Sequence, residues 1–205
     1  AWPDLDWAHL AVHHGLQKWV FDERVPPAEF ATFDAWRHAT QTYQAELLRH
    51  HIEVLRRLKY RPAGGFCLFA FNDPMPMVSW SIVDHERRPK LAWDAVKRAC
   101  RPVIVVAERP PDLVTTGEHL TLDVHVVNDL RVAVEPATVQ VVARWAGGDR
   151  CWSFGGGIAA DDCVKVGTIE FDVPRTLGAL TFDLSLAADG VSATNHYSTA
   201  VTVEP

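Results

Sequence analysis

The sequence predicts a mixed fold: a helical first half holding one buried strand, then an antiparallel β-sandwich of immunoglobulin-like size. Two observations predict it. Up to about Pro102 the apolar residues recur at helical spacing, and beyond it they alternate or run in short β-branched stretches divided by Gly, Pro, Asn and Asp. In addition, Phe66-Cys67-Leu68-Phe69-Ala70-Phe71 is apolar throughout, as a strand covered on both faces must be. The expected domains are 1–101 and 102–205.

In the first half, Trp7 to Trp19 reads as a helix that Val25-Pro26-Pro27 brings to an end. A longer helix is expected from about Phe30 to Leu58. Its apolar stripe is Tyr43, Leu47, Ile52, Leu55 and Leu58, and its polar face holds Arg49, Glu53, Arg56, Arg57 and Lys59. The cations gather in its last turn, where the helix dipole favours them, and Arg61-Pro62-Ala63-Gly64-Gly65 stops it. After the apolar run come the turn residues Asn72-Asp73-Pro74, then a helix from Pro89 to Cys100 with Leu91, Ala95, Val96 and Ala99 inward. A lone buried parallel strand needs neighbours that this chain does not supply.

The second half offers strands at 103–107, 120–127, 138–145, 151–154, 164–173, 180–187 and 198–203. Turn signals lie between them, among them Gly147-Gly148-Asp149, Gly155-Gly156-Gly157 and Asp189-Gly190. About seven short strands over roughly 100 residues is the span of an immunoglobulin-like sandwich.

Bulk chemistry narrows the partners. Of 205 residues, 48% are hydrophobic and 22% charged, and the formal charge is −6. Such a balance suits a globular chain and argues against nucleic acid or an anionic membrane, both of which call for a basic surface. No apolar run approaches the roughly 18 residues of a membrane span. Ala1-Trp2-Pro3-Asp4 has neither initiator methionine nor leader features, so the chain reads as a piece of a longer protein. Cys67, Cys100, Cys151 and Cys163 have no metal-ligand spacing. They read as four separate thiols of a cytoplasmic protein, although Cys151 and Cys163 flank a glycine-rich turn across which a disulfide is conceivable. No metal or cofactor is expected.

The stretch from Tyr43 to Val106 contains YQAELLRHHIEVLRRLKYRPAGGF and FNDPMPMVSWSIVDHERRPKLAWDAVKRACRPVIVV. It resembles the end of the catalytic barrel in family 2 glycoside hydrolases of the β-mannosidase and exo-β-glucosaminidase type. There a Gly-Gly-led strand runs into Phe-Asn-Asp, then Ser-Trp-Ser, then Arg-Pro-Lys. The resemblance implies a C-terminal fragment of a (β/α)8 TIM barrel, with the last helices and the eighth strand, followed by an immunoglobulin-like sandwich. It also implies a terminal β-mannoside as substrate; the alternatives are a β-glucosaminide, or a non-catalytic structural or carbohydrate-contact sandwich module. The rest of the barrel would then be an obligatory partner.

Such enzymes are retaining, with an acid/base and a nucleophile about 5 Å apart. In the family the first follows the fourth strand and the second ends the seventh. Both precede the part of the barrel matched here, so no catalytic residue is assigned.

Asn72, Asp73, Met75 and Trp80 are the expected substrate-binding residues, because barrel sites form where strands end at the C-terminal face. Asp73 equally suits a turn-capping role. Met75 stands where the family usually has Trp, so a flat stacking face is lost. Trp80 also fits a ring buried between barrel and sandwich. Asp84, Arg88 and Lys90 are expected to hold the last helix by ion pairs. The pairs His13-His14 and His50-His51 point too far apart on a helix to share an ion.

Overall fold

A computed structural model describes residues 2–203. The outermost positions of the expected domains, Ala1, Glu204 and Pro205, lie outside the described residues. The chain forms two compact units, residues 1–52 with 66–99, and 53–65 with 100–205.

In the first unit the expected N-terminal helix is two helices, α1 (Trp7–His14) and α2 (Lys18–Arg24). Gly15 breaks it: at φ 62° it adopts the left-handed conformation and its N–H caps the carbonyl of Leu10. Asp6 caps the other end of α1 by accepting from the His9 N–H. A short 3-10 turn, Pro27–Glu29, leads to α3 (Phe33–Arg57), where Thr32 Oγ accepts from the Ala35 N–H.

The buried face of α3 is only partly the expected one. Ile52 of the expected stripe is buried, together with Trp36 and Ala45, whereas Tyr43, Leu47, Leu55 and Leu58 are each more than one-third exposed. Trp36 sits among Trp2, Trp7, Phe21 and Phe33 and donates its indole N–H to the carbonyl of Val25. The last helix, α4 (Leu91–Ala99), buries Ala92, Ala95, Val96 and Ala99 in a small core with Ala45, Ile52, Ile82 and Val83.

The apolar run 66–71 is not a strand here. It has no ladder partner, and Phe66, Phe69 and Phe71 are exposed, Phe69 to 81%. The physical reason is the one its composition implied: a parallel strand needs flanking strands for its N–H and C=O groups. Asn72, just after the run, forms an isolated parallel bridge with Val83.

The second unit is a two-sheet β-sandwich. Its strands are β1 (Val103–Ala107), β2 (Leu113–Thr115), β3 (His119–Asn128), β4 (Val134–Trp145), β5 (Gly148–Ile158), β6 (Asp162–Asp172), β7 (Gly178–Ala188) and β8 (Val191–Thr202). They form sheets in the orders β1-β3-β6 and β2-β8-β7-β4-β5. Every pair is antiparallel except β2 with β8. The alternation in β3 and β7 sends Leu122, Val124, Val126, Leu180, Phe182, Leu184 and Leu186 into one core with Val139, Val141, Ile169 and Phe171.

Strand β2 was not read from the sequence, being three residues long. Gly155-Gly156-Gly157 is not the turn it resembled but part of β5, opposite a register shift between Val134 and Ala137. All four cysteines are free. Cys151 lies opposite Val142 in one sheet and Cys163 opposite Val127 in the other, so the two do not face each other across a hairpin.

Residues 53–65, the end of α3 and the turn after it, belong to this second unit. Glu53, expected on a solvated face, is 5% exposed. Its carboxylate accepts from Asn195 Nδ2 and from the Tyr197 hydroxyl, each at 2.9 Å. Asn195 Nδ2 also reaches the carbonyl of Val105 at 3.0 Å. Arg56 and Lys59 hold the two oxygens of Asp129 at 2.7 and 2.6 Å. Lys59 further binds Asp161 at 2.7 Å, and Tyr60 donates to the same carboxylate at 3.0 Å. Burial alone would lower the pKa of Lys59, but the two carboxylates outweigh it and hold the ammonium above its ordinary value.

On the outer side of β3, His125 Nδ1 is buried with no hydrogen-bond partner. Burial first, then the guanidinium of Arg57, lowers its pKa below 6.5. The unfolded chain therefore binds more protons at this ring, and stability rises with pH through the histidine range. The unfolding free energy is expected to climb between about pH 5 and pH 7, with a visibly smaller slope in His125→Leu. An unchanged slope in urea melts across that range would contradict this.

Candidate functional site: the loop 72–90

Four sequence-selected residues, Asn72, Asp73, Met75 and Trp80, fall in one loop of the first unit. They play different parts in it. Asp73 is 4% exposed. Its Oδ2 pairs with Lys90 Nζ at 2.9 Å, and its Oδ1 accepts a hydrogen bond from the Ser79 hydroxyl. Burial pushes its pKa up, but the hydrogen bonds from Ser79, Lys90 and Ser81 outweigh burial and leave it below the usual 3.8. A group so depressed contributes its stability in full above the ordinary aspartate range, and loses it as pH falls through the depressed value.

Asn72 is half-buried and spends one amide hydrogen on the Asp73 carbonyl at 3.1 Å. Met75 and Trp80 stand at the rim, 54% and 59% exposed. The Trp80 ring is thus not the buried ring that one reading of the sequence expected. Its backbone carbonyl is held instead, by Gln44 Nε2 at 2.8 Å.

The expected ion-pair set also divides. Asp84 caps its own turn, accepting from the backbone N–H groups of Glu86 and Arg88 at 2.9 and 2.8 Å. Arg88 pairs with Glu86. Only Lys90 reaches across the loop. Ser79 and Ser81, not singled out from the sequence, complete the site: Ser81 is fully buried and its hydroxyl receives Lys90 Nζ at 2.8 Å. The available signal was their placing on either side of an aromatic ring, nine residues before a lysine. His14, read from the sequence only as unable to share an ion with His13, accepts from the Val78 N–H through Nδ1 at 3.2 Å. Among the described residues no three His, Cys, Asp or Glu side chains gather as a metal site.

No protein-family profile matches the chain. Curated relatives do match part of it. β-Mannosidase B of Thermothelomyces thermophilus is 33% identical over 107 residues, 50% of this chain and 12% of the relative. β-Mannosidase B of Aspergillus niger is 38% identical over 78 residues, 37% of this chain and 9% of the relative. The chain thus spans about a tenth of the length of these relatives. Among solved structures, the exo-chitosanase of Amycolatopsis orientalis shares the fold with a TM-score of 0.69 at 17% identity, over 88% of this chain and 21% of that one. The chain is thus similar in sequence to part of the β-mannosidases, as the end of a family 2 glycoside hydrolase would be, and similar in fold to part of an exo-chitosanase.

Proposed function

We propose that the chain is the C-terminal portion of a retaining glycoside hydrolase that acts on terminal β-mannosides. One observation supports this above the others. The motif that resembles the family, Asn72 to Lys90, forms a loop pinned by buried polar contacts, with Met75 and Trp80 exposed at its rim. A rigid neck with an apolar rim is what a sugar-binding wall requires.

In the full-length protein, residues 1–101 would be the end of a TIM barrel and 102–205 an immunoglobulin-like domain. The run 66–71 would then gain flanking strands and become the eighth, with Phe66, Phe69 and Phe71 covered. The rest of the barrel is accordingly the first partner and a carbohydrate the second. The acidic charge balance speaks for neither nucleic acid nor membrane. A cytoplasmic place of action fits its free thiols. An exo-β-glucosaminidase activity is the second reading, favoured by Met75, which offers no indole for a mannoside to stack on.

The chain by itself is expected to hydrolyse no glycoside, because both catalytic carboxylates would lie upstream. Purified chain and full-length protein should be assayed side by side on aryl β-mannoside and aryl β-glucosaminide. Sustained turnover by the chain alone, abolished by Asp73→Asn, would overturn the assignment. In the full-length protein, Met75→Trp is expected to lower KM for the mannoside by about 1 kcal/mol of added ring contact. Asn72→Ala is expected to cost roughly 1–3 kcal/mol in kcat/KM through an unpaired polar group.

A further inference from the structure

We propose that Asp73 and Lys90 are positioning residues that fix the shape of the loop Pro74–Trp80, and do not themselves contact the sugar. The proposal rests on the loop lining the substrate pocket, as proposed above.

The argument begins from access. The side chain of Asp73 is 2% exposed and that of Lys90 12%, so neither charge is presented to a ligand. Their charges are spent on each other and on two serines. The Ser79 hydroxyl donates to Asp73 and accepts from the Ser81 N–H at 3.1 Å. The Ser81 hydroxyl donates to the carbonyl of Val83 at 2.9 Å and receives Lys90. Asp73 closes the circuit, its own N–H reaching the same Val83 carbonyl at 3.0 Å.

These contacts tie positions 73, 79, 81 and 83, the two ends of the loop, to Lys90 at the entry to α4. Between the ties Pro74, Met75, Pro76, Val78 and Trp80 are all exposed, and the chain has two lighter holds, the Val78 N–H on His14 Nδ1 and the Trp80 carbonyl on Gln44 Nε2. The neck is the buried, charged part of what orients Met75 and Trp80. Removing one charge leaves the other buried and unpaired, and the neck must open to water to relieve it.

The test has two arms. In this chain, amide hydrogen exchange is followed over residues 72–81 in Asp73→Asn, Lys90→Met, Lys90→Arg and the milder Ser79→Ala. In the full-length protein, the same variants are assayed on aryl β-mannoside and aryl β-glucosaminide. Exchange in the loop is expected to speed up in Asp73→Asn and Lys90→Met, to a lesser degree in Ser79→Ala, and to stay slow in Lys90→Arg. The first two should lose about 100-fold in kcat/KM, as a wall misplaced by about 1 Å does, with much of it regained in Lys90→Arg.

Exchange that stays slow in all four variants refutes the anchor. Loosened loops with wild-type kcat/KM on both substrates refute the positioning role while leaving the proposed function intact. Wild-type full-length protein inactive on both substrates removes the proposed function and the positioning role with it, and leaves the anchor as a structural feature alone.

Discussion

Replacing Glu53 by alanine is expected to lower the unfolding free energy of the β-rich unit by about 2–3 kcal/mol. Its carboxylate is the common acceptor for Asn195 and Tyr197, and each stranded donor in a dry site costs roughly 1–3 kcal/mol. Asn195 keeps its bond to the Val105 carbonyl, so the loss falls short of the full sum, whereas the Tyr197 hydroxyl loses the acceptor to which it donates. Glu53→Gln preserves the shape and one carbonyl oxygen and should cost clearly less. Urea denaturation followed by β-type circular dichroism distinguishes the two. Equal midpoints for wild type and Glu53→Ala would show that the helix end is not bound to the sandwich in solution.

The second large effect is expected in the core. Phe182 is 1% exposed and meets the ring of Phe171 edge-on, with centroids 6.3 Å apart. Phe182→Ala removes a whole ring between two sheets that cannot collapse onto the gap, and should cost about 3–5 kcal/mol. Phe182→Leu should recover more than half of that, since volume-conserving swaps usually cost under about 1.5 kcal/mol. The sandwich should melt at a lower temperature in proportion. A Phe182→Ala protein with an unchanged melting temperature would place the residue outside the core.

Why the sandwich was legible and the helical unit only partly so follows from what each element needs. Strand β1 was read to the residue, and β3, β6 and β7 to within one or two at each end. Their alternation is set by a core that this chain supplies on both sides. The strand at 66–71 was read from equally good local chemistry, but the structure gives the run no ladder partner.

The faces of α3 were misjudged for a related reason. Periodicity ranks Leu47 and Leu55 above Glu53 and Arg56 as core residues. It cannot see that Asp129, Asn195 and Tyr197, some 70 to 140 positions away, provide polar partners for a polar face. In the loop, the sequence left Asp73 open between a sugar ligand and a turn residue, and it could not show that the carboxylate meets Ser79 and Lys90.

The sheet order also bears on solubility. Strand β5 pairs with β4 alone, so among the described residues an 11-residue strand presents one open row of backbone donors and acceptors. Long flat edges of this kind recruit further strands from neighbouring molecules. Here the row is interrupted by Gly155-Gly156-Gly157, near the register shift at Val134 and Ala137, and it carries the charges of Asp149 and Arg150. A charged edge with a register shift beside it is a poorer template for a second molecule than a straight apolar one. The three glycines that looked in the sequence like a turn lie within this edge strand, next to that shift.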